Sequence, residues 1–479
     1  MIANRQLDKG ARLHVSSSDH GDGDSPQFQP IVPPVLMAST RGTRCAHCFG
    51  SGANLMLDGP PPQMRPLLHQ FCSNRCMDAC RDRAREEEMA AFQFVNRQSQ
   101  QPQDHPPKVT SIGPTALLIY RLICHMIKTD SDCLLDMESH IDELEGADDQ
   151  DEKDFIQTTA MAAKGLFMCS RMATLAQNSS GVGSEIIDEH YLLSAVSKVA
   201  TNAFTVCDGE GSSLGFGLYP AAAVINHSCE PNLVQTFQYG GIENKPPSLL
   251  LTTCRVADRD EELCIAYTDV RAPAKRRREI LLTGYKFLCT CSRCENADSG
   301  DDDDDTITND TKQTRRDEAF AIVERTLARE KPASPTSGAT GTSLSSPTLK
   351  ELQDAYRSMR QCCAPESYYV QEAGEALVQA LLDRIAEAVS EGQQRELCSK
   401  ALAVLEELEE KKNARCAELC PLPSLIRRYK IAKLQIFLVH DPRPALMMLQ
   451  DVHSDLLVYF PRDHELIRDL EDCMRGGMS

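Results

Sequence analysis

The chain has no tryptophan, and aromatic residues make up only 5% of it. Any ring it places in a site must therefore come from 11 tyrosines, 14 phenylalanines or the histidines. It also lacks long apolar runs: nothing approaches the ~18 uninterrupted residues of a membrane span. The opening stretch Met1–Gly10 is polar and has no apolar h-region of a secretory signal. A soluble protein is expected, cytoplasmic and/or nuclear, with no membrane partner. Positive charge is in short supply as well. Lys and Arg number 51 against 70 Asp and Glu, a formal charge of -19. That balance disfavours sequence-independent binding along a phosphate backbone, so nucleic acid is an unlikely partner and a basic protein segment is better matched. At 479 residues, two to four domains are expected.

Cysteine is abundant, with 21 residues. In a reducing compartment closely spaced cysteines point to metal ligands rather than disulfides. The densest group is Cys289-Thr290-Cys291-Ser292-Arg293-Cys294. Its three thiols are one short of a closed tetrahedral zinc site. Cys229, in Asn226-His227-Ser228-Cys229-Glu230-Pro231-Asn232, can supply the fourth. A zinc ion there would pin a later segment against the loop holding Asn226 and His227, and so close a pocket. A second group, Cys45-x2-Cys48 followed by Cys72-x3-Cys76, makes another possible four-cysteine zinc site. Cys124, Cys133, Cys169, Cys254, Cys264 and Cys398 sit in apolar surroundings and read as small core residues.

Residues 1–44 look irregular apart from possible short strands at Ala11–Val15 and Ile31–Met37. The first cysteine group opens 45–95, which ends in a charged helix over about Asn74–Phe94. Residues 96–190 begin with a polar linker and continue with helices over Pro114–Lys128, Asp136–Glu145 and Asp154–Met172. After a helix at Tyr191–Ala203 the pattern turns to short β runs, Phe204–Cys207, Leu233–Tyr239, Ser248–Val256 and Glu262–Tyr267, an antiparallel region within 191–270. Gly209–Gly217 lacks the Lys-Ser/Thr ending of a phosphate loop and reads as a flexible turn. A helix at Ala274–Leu282 opens 271–297, and its basic run Lys275–Arg278 reads as a solvated face. Residues 298–347, with Asp301–Asp305 and a Ser/Thr/Gly/Pro-rich stretch, read as a linker. Residues 348–479 are helical, in repeat-like hairpins.

These residues resemble a known family. Asn226–Asn232 followed by Glu261-Glu262-Leu263-Cys264-Ile265-Ala266-Tyr267 is similar to the C-terminal half of a SET domain. The Tyr285-x-Phe287-x-Cys289-x-Cys291-x2-Cys294 ending resembles the zinc-bearing post-SET segment of the SET-and-MYND (SMYD) protein lysine methyltransferases. Asn202-Ala203-Phe204 resembles a segment preceding that half, and Phe71-Cys72-Ser73 resembles part of the MYND finger. The resemblance covers about residues 30–300 and extends weakly into the tail.

The fold it implies is α+β and multidomain: a split SET β core with an inserted zinc finger (45–95) and a helical insert (96–190), a post-SET zinc site (271–297) and an all-α, TPR-like C-terminal domain. The MYND finger of the family interleaves two zinc sites. Here only the set Cys45, Cys48, Cys72 and Cys76 is complete, and His69 and Cys80 lack the spacing to make a second. The family also has a glycine-rich strand ahead of a segment like Ala3–Gly10, so the N-terminal SET fragment (1–44) is expected to be incomplete.

By the same resemblance, Asn202, Asn226, His227, Tyr267 and Phe287 would hold S-adenosylmethionine. Tyr267, Tyr285 and Phe204 would line a channel for a lysine side chain. The implied activity is methyl transfer from S-adenosylmethionine to a lysine of a histone or other protein. Further protein partners would be met through the finger and the helical tail. The alternative is a catalytically impaired zinc-binding scaffold for protein interactions.

Overall fold

The structure is a computed structural model and describes residues 3, 5–13, 28–37, 40–41, 43–56, 69–99, 113–140, 150–170, 188–240, 245–297, 310–330, 347–438 and 441–477. Asp301–Asp305 and most of the Ser/Thr/Gly/Pro-rich stretch lie outside them. The strands are β1 (Val35–Leu36), β2 (Leu55–Met56), β3 (Gln70–Phe71), β4 (Ala203–Cys207), β5 (Ser213–Leu218), β6 (Leu233–Gln238) and β7 (Ser248–Thr253). They form three small antiparallel sheets, ordered β1-β5-β4, β2-β3 and β6-β7.

The central strand β5 occupies what reads in the sequence as a flexible turn. The turn is confined to Asp208–Ser212, where the Asp208 carboxylate accepts from the Glu210 and Ser212 amides at 3.0 and 2.8 Å and Gly211 takes φ +91°. Beyond it Leu214, Phe216 and Leu218 recur at every second residue and are buried. Gly215 is what lets β1 lie alongside, because a Cβ there would fall 2.2 Å from the Val35 carbonyl oxygen.

Glu262–Tyr267 departs from expectation in the opposite sense. It forms isolated bridges, among them the parallel one of His227 to Ile265, rather than a ladder. Side chains supplement its few backbone bonds: the Cys264 amide donates to Asn232 Oδ1 at 2.8 Å, and the Tyr267 amide donates to His227 Nδ1 at 3.0 Å. The N-terminal chain runs beside β7 through bridges Arg12–Thr252 and Phe28–Leu249, and Leu7 pairs with Ala257 just past the strand.

Helix α1 (Asn74–Ser99), which leaves the finger, shares one core with α2 (Pro114–Thr129) and α3 (Gln150–Met168) of the insert and with α4 (Glu189–Asn202), which leads into the SET core. Leu118, Leu122 and Met126 of α2 pack with Leu166, Phe167, Val196 and Val199, and the same core takes in Phe216 and Leu218 of β5. The helix expected over Asp136–Glu145 is absent from its described part, Asp136–His140. That stretch is pinned to α4 instead. Lys198 Nζ donates to the Leu134 carbonyl (2.8 Å), Asn202 Nδ2 donates to the Glu138 carbonyl (3.0 Å), and the His140 amide donates to Ser197 Oγ (3.2 Å).

Short α5 (Pro220–Ala223) precedes the Asn226 loop, and α6 (Ala274–Tyr285) and α7 (Ser292–Ala297) flank the last cysteines. Helix α8 (Asp310–Glu330) lies in the segment read as a linker. Its Ala319, Phe320 and Val323 form a narrow apolar stripe that joins the core of the helices after it.

Those are α9 (Leu349–Cys362), α10 (Tyr368–Glu387), α11 (Glu391–Glu410), α12 (Ala414–Leu419), α13 (Leu422–Leu438), α14 (Arg443–Tyr459) and α15 (Glu465–Gly477). Val234 and Cys254 share a core with Leu425, Tyr429, Leu449 and Leu456, so the helical tail is packed against the β6–β7 hairpin. No helix among the described residues is long and apolar enough to cross a membrane.

Candidate functional site

The turn after α5 and the segment after α6 meet through sulfur. Cys229 Sγ lies 3.6 Å from Cys294 Sγ and 4.0 Å from Cys289 Sγ, and with Cys291 the four sulfurs fall within 4.8 Å of one another. A tetrahedral zinc with bonds of about 2.3 Å sets its sulfurs about 3.8 Å apart. The spacing is far beyond a disulfide bond of about 2.05 Å, and all four are free cysteines. Hydrogen bonds from Cys229 and Cys294 hold the Cys291 thiol well below its ordinary range, and the same sharing pushes Cys229 up. Four sulfurs this close cannot all ionise unless a cation sits among them. The donor set thus fits zinc.

His227 connects this cluster to a group of rings. Its Nδ1 accepts the Tyr267 amide, so the ring hydrogen sits on Nε2, which faces Cys229 Sγ at 3.3 Å and donates to it. Burial, aided by the Arg277 guanidinium, lowers its pKa to about 4 against the opposing pull of Cys291. It is neutral at physiological pH. The Tyr267 ring lies 5.4 Å away and the Phe287 ring 6.1 Å. Tyr285 stacks obliquely on Tyr267 at 4.7 Å, and burial with Tyr267 as neighbour pushes its phenol up to about 12. Tyr267 Oη donates to the Ile225 carbonyl at 2.6 Å, and burial raises its pKa.

The structure therefore gathers His227, Tyr267, Tyr285 and Phe287 around the four cysteines in one cluster. Asn226 shares the loop, with Nδ2 on Glu262 Oε1 at 2.8 Å. Phe204, at the start of β4, packs edge-on to Tyr219 at 5.8 Å and belongs with Tyr267 to the rim of one apolar core. Asn202, at the end of α4, spends its amide on the Glu138 and Lys198 carbonyls at 3.0 and 2.8 Å.

Several contributors were not singled out from the sequence. Arg277 stands in a run read as a solvated face, yet it is 0% exposed. It donates to the Ala272 carbonyl at 2.5 Å and reaches Cys294 Sγ at 3.9 Å. Of that run only Lys275 is exposed; Arg276 lies over Phe320 and pairs with Glu324, and Arg278 donates to the Cys294 carbonyl at 2.9 Å. Four thiolates around a divalent ion leave a negative cluster, and a buried guanidinium offsets that charge. Arg293 adds bonds to the Val270 and Cys229 carbonyls at 2.6 and 3.4 Å. No local sequence signal separates these arginines from surface ones.

Cys45, Cys48, Cys72 and Cys76 form the second group, with Cys72 Sγ 3.6 Å from both Cys48 and Cys76. This set also fits a tetrahedral zinc. The two spare candidates are engaged elsewhere: His69 Nε2 lies 2.9 Å from Glu87 Oε2, and Cys80 Sγ donates to the Cys76 carbonyl at 3.2 Å. Glu87 is itself held by Arg121 through two bonds of 2.8 Å. Among the described residues there is no third cysteine-rich metal site.

Residues 67–268 match the SET domain family. The chain is 33% identical over 175 residues to the histone-lysine N-methyltransferase SMYD3 of Mus musculus, covering 36% of each chain. It is 39% identical over 119 residues to the human SMYD3, covering 25% of this chain and 26% of that one. With the N-lysine methyltransferase SMYD2 of Gallus gallus it is 27% identical over 268 residues, 55% of this chain and 53% of the relative. The matches thus span from about a quarter to about half the length of these curated relatives. The chain carries a SET domain, and its resemblance to the SET-and-MYND proteins is borne out.

Proposed function

We propose that this protein is an S-adenosylmethionine-dependent protein-lysine N-methyltransferase. The observation that carries the reading is the cysteine tetrahedron. Zinc held by Cys229, Cys289, Cys291 and Cys294 would fix the strip bearing Tyr285 and Phe287 against the loop bearing Asn226 and His227. S-adenosylmethionine, when bound, would supply a methyl group on a sulfonium carbon, open to in-line attack by an uncharged lysine amine.

The chain's own work is alignment and desolvation. Reacting atoms held in near-attack geometry supply much of such a rate enhancement. Neutral His227, half-buried and fixed as one tautomer, and Asn226, anchored on Glu262, shape the cofactor side. Phe287 would lie along the adenine. Tyr267, Tyr285 and Phe204 would line the lysine channel, where low polarity favours the neutral amine and ring faces favour cationic groups. The acidity of the chain suits a basic protein segment as substrate. The cytosol or nucleus is where eight clustered thiols would stay reduced for zinc.

The test is transfer of isotopically labelled methyl groups from S-adenosylmethionine to lysine-rich protein substrates by the zinc-loaded chain. Label on lysine, located by mass spectrometry, is the expected result. No transfer together with no cofactor binding would leave the scaffold reading in its place.

A further inference from the structure

The hinge at Lys286 carries a feature that the methyltransferase reading leaves unused. Lys286 ends α6 in the left-handed conformation, φ 57° and ψ 27°, where a non-glycine residue is strained. This reversal splits three consecutive side chains. Tyr285 and Phe287 turn to Tyr267 and His227, with ring centres 4.7 and 6.1 Å apart. Lys286 turns instead to the helical insert, where its Nζ meets Glu152 Oε2 of α3 at 2.6 Å. The side chains of this pair are only 16% and 5% exposed. The two ends lie 134 residues apart, so the pair joins separate parts of the fold.

The surroundings are shaped to the pair. Lys286, Glu152, His140, Ser197, Thr201 and Gly284 are among the residues lining a cavity of about 20 Å³, room for roughly one water. The adjoining insert segment is already tied to α4 through Ser197, Lys198 and Asn202. Among the described residues, a largely desolvated ion pair thus joins this insert to the hinge that carries Tyr285 and Phe287. Such pairs respond strongly to loss of one partner, because the other charge stays buried. An exposed pair would respond weakly.

We propose that Glu152 and Lys286 form a latch that positions Phe287 for cofactor binding, a role that rests on the methyltransferase reading. They are positioning residues and touch neither methyl donor nor lysine. Glu152→Gln and Lys286→Met should each weaken binding of S-adenosylhomocysteine about 10-fold by calorimetry and raise KM for S-adenosylmethionine to match. The rate at saturating cofactor should stay within about twofold and zinc content should not change, because the tetrahedron is separate from the latch. Amide hydrogen exchange at residues 285–289 should quicken in both variants. The exchanged pair, Glu152→Lys with Lys286→Glu, should recover most of the affinity and the protection, which a merely structural loss would not do.

A parent that binds cofactor alongside single variants that bind equally well overturns the latch alone. So does an exchanged pair whose defect equals the sum of the two singles. A parent that binds no cofactor overturns the methyltransferase reading, and the latch's role with it.

Discussion

Tyr267→Phe should lower methyl transfer by about 10²-fold while leaving affinity for S-adenosylmethionine within about twofold. The hydroxyl is the only group removed. It donates to the Ile225 carbonyl at 2.6 Å, and that carbonyl belongs to the residue directly before Asn226. The bond fixes the ring between Tyr285 and His227, and burial keeps the phenol protonated across the working range. Losing one such hydrogen bond costs about 1 kcal/mol, too little to unfold a domain with this core. A reactant misplaced by about 1 Å, by contrast, costs on the order of 10²-fold in rate.

The cofactor side should be spared because its anchor on Tyr267 is the backbone amide, bonded to His227 Nδ1 whatever the side chain. Steady-state rates on a lysine peptide, with calorimetry on the same protein, give both numbers. A parental rate would remove Tyr267 from the channel.

Cys291→Ser should release one of two zinc equivalents and abolish turnover. Three thiolates and a hydroxyl make a much poorer site for the ion. Without the ion the segment from Cys289 to Cys294 keeps only lighter ties to the rest, such as Ser292 Oγ on Glu230 Oε2 at 2.8 Å and Arg278 on the Cys294 carbonyl at 2.9 Å. Hydrogen exchange over residues 285–294 should rise accordingly, while the finger keeps its own zinc. Metal analysis that still finds two equivalents in this variant would refute the shared site.

How much of this could be read from the chain depended on range. Cys289, Cys291 and Cys294 lie within six residues, and their spacing announces a ligand set. Cys229 was identifiable because the set lacked one member and the Asn226–Asn232 loop offered it. The rings at 267, 285 and 287 carried no signal singly and became legible only through the family resemblance.

The buried arginines did not. Arg277 looks like its exposed neighbour Lys275, and what distinguishes it is a sulfur cluster brought from 17 residues further on and beyond. Strand β5 was hidden by its glycines, which read as turn-formers until β1 is seen to need their lack of a side chain. Helix α8 was hidden by a mostly charged sequence whose buried apolar residues, among those described, are Ala319, Phe320 and Val323. Asp136–His140 has helical composition, but its Glu138 carbonyl and His140 amide are engaged by side chains of α4, a tertiary preference that no local pattern contains.

A metal ion that shapes the cofactor pocket is tested most directly by one titration. S-adenosylmethionine is titrated calorimetrically into the zinc-loaded parent and into Cys291→Ser at the same concentration. Saturable binding of one equivalent to the parent and no detectable heat from the variant at millimolar ligand is the predicted result. Equal binding to both proteins, or none to the parent, would contradict it.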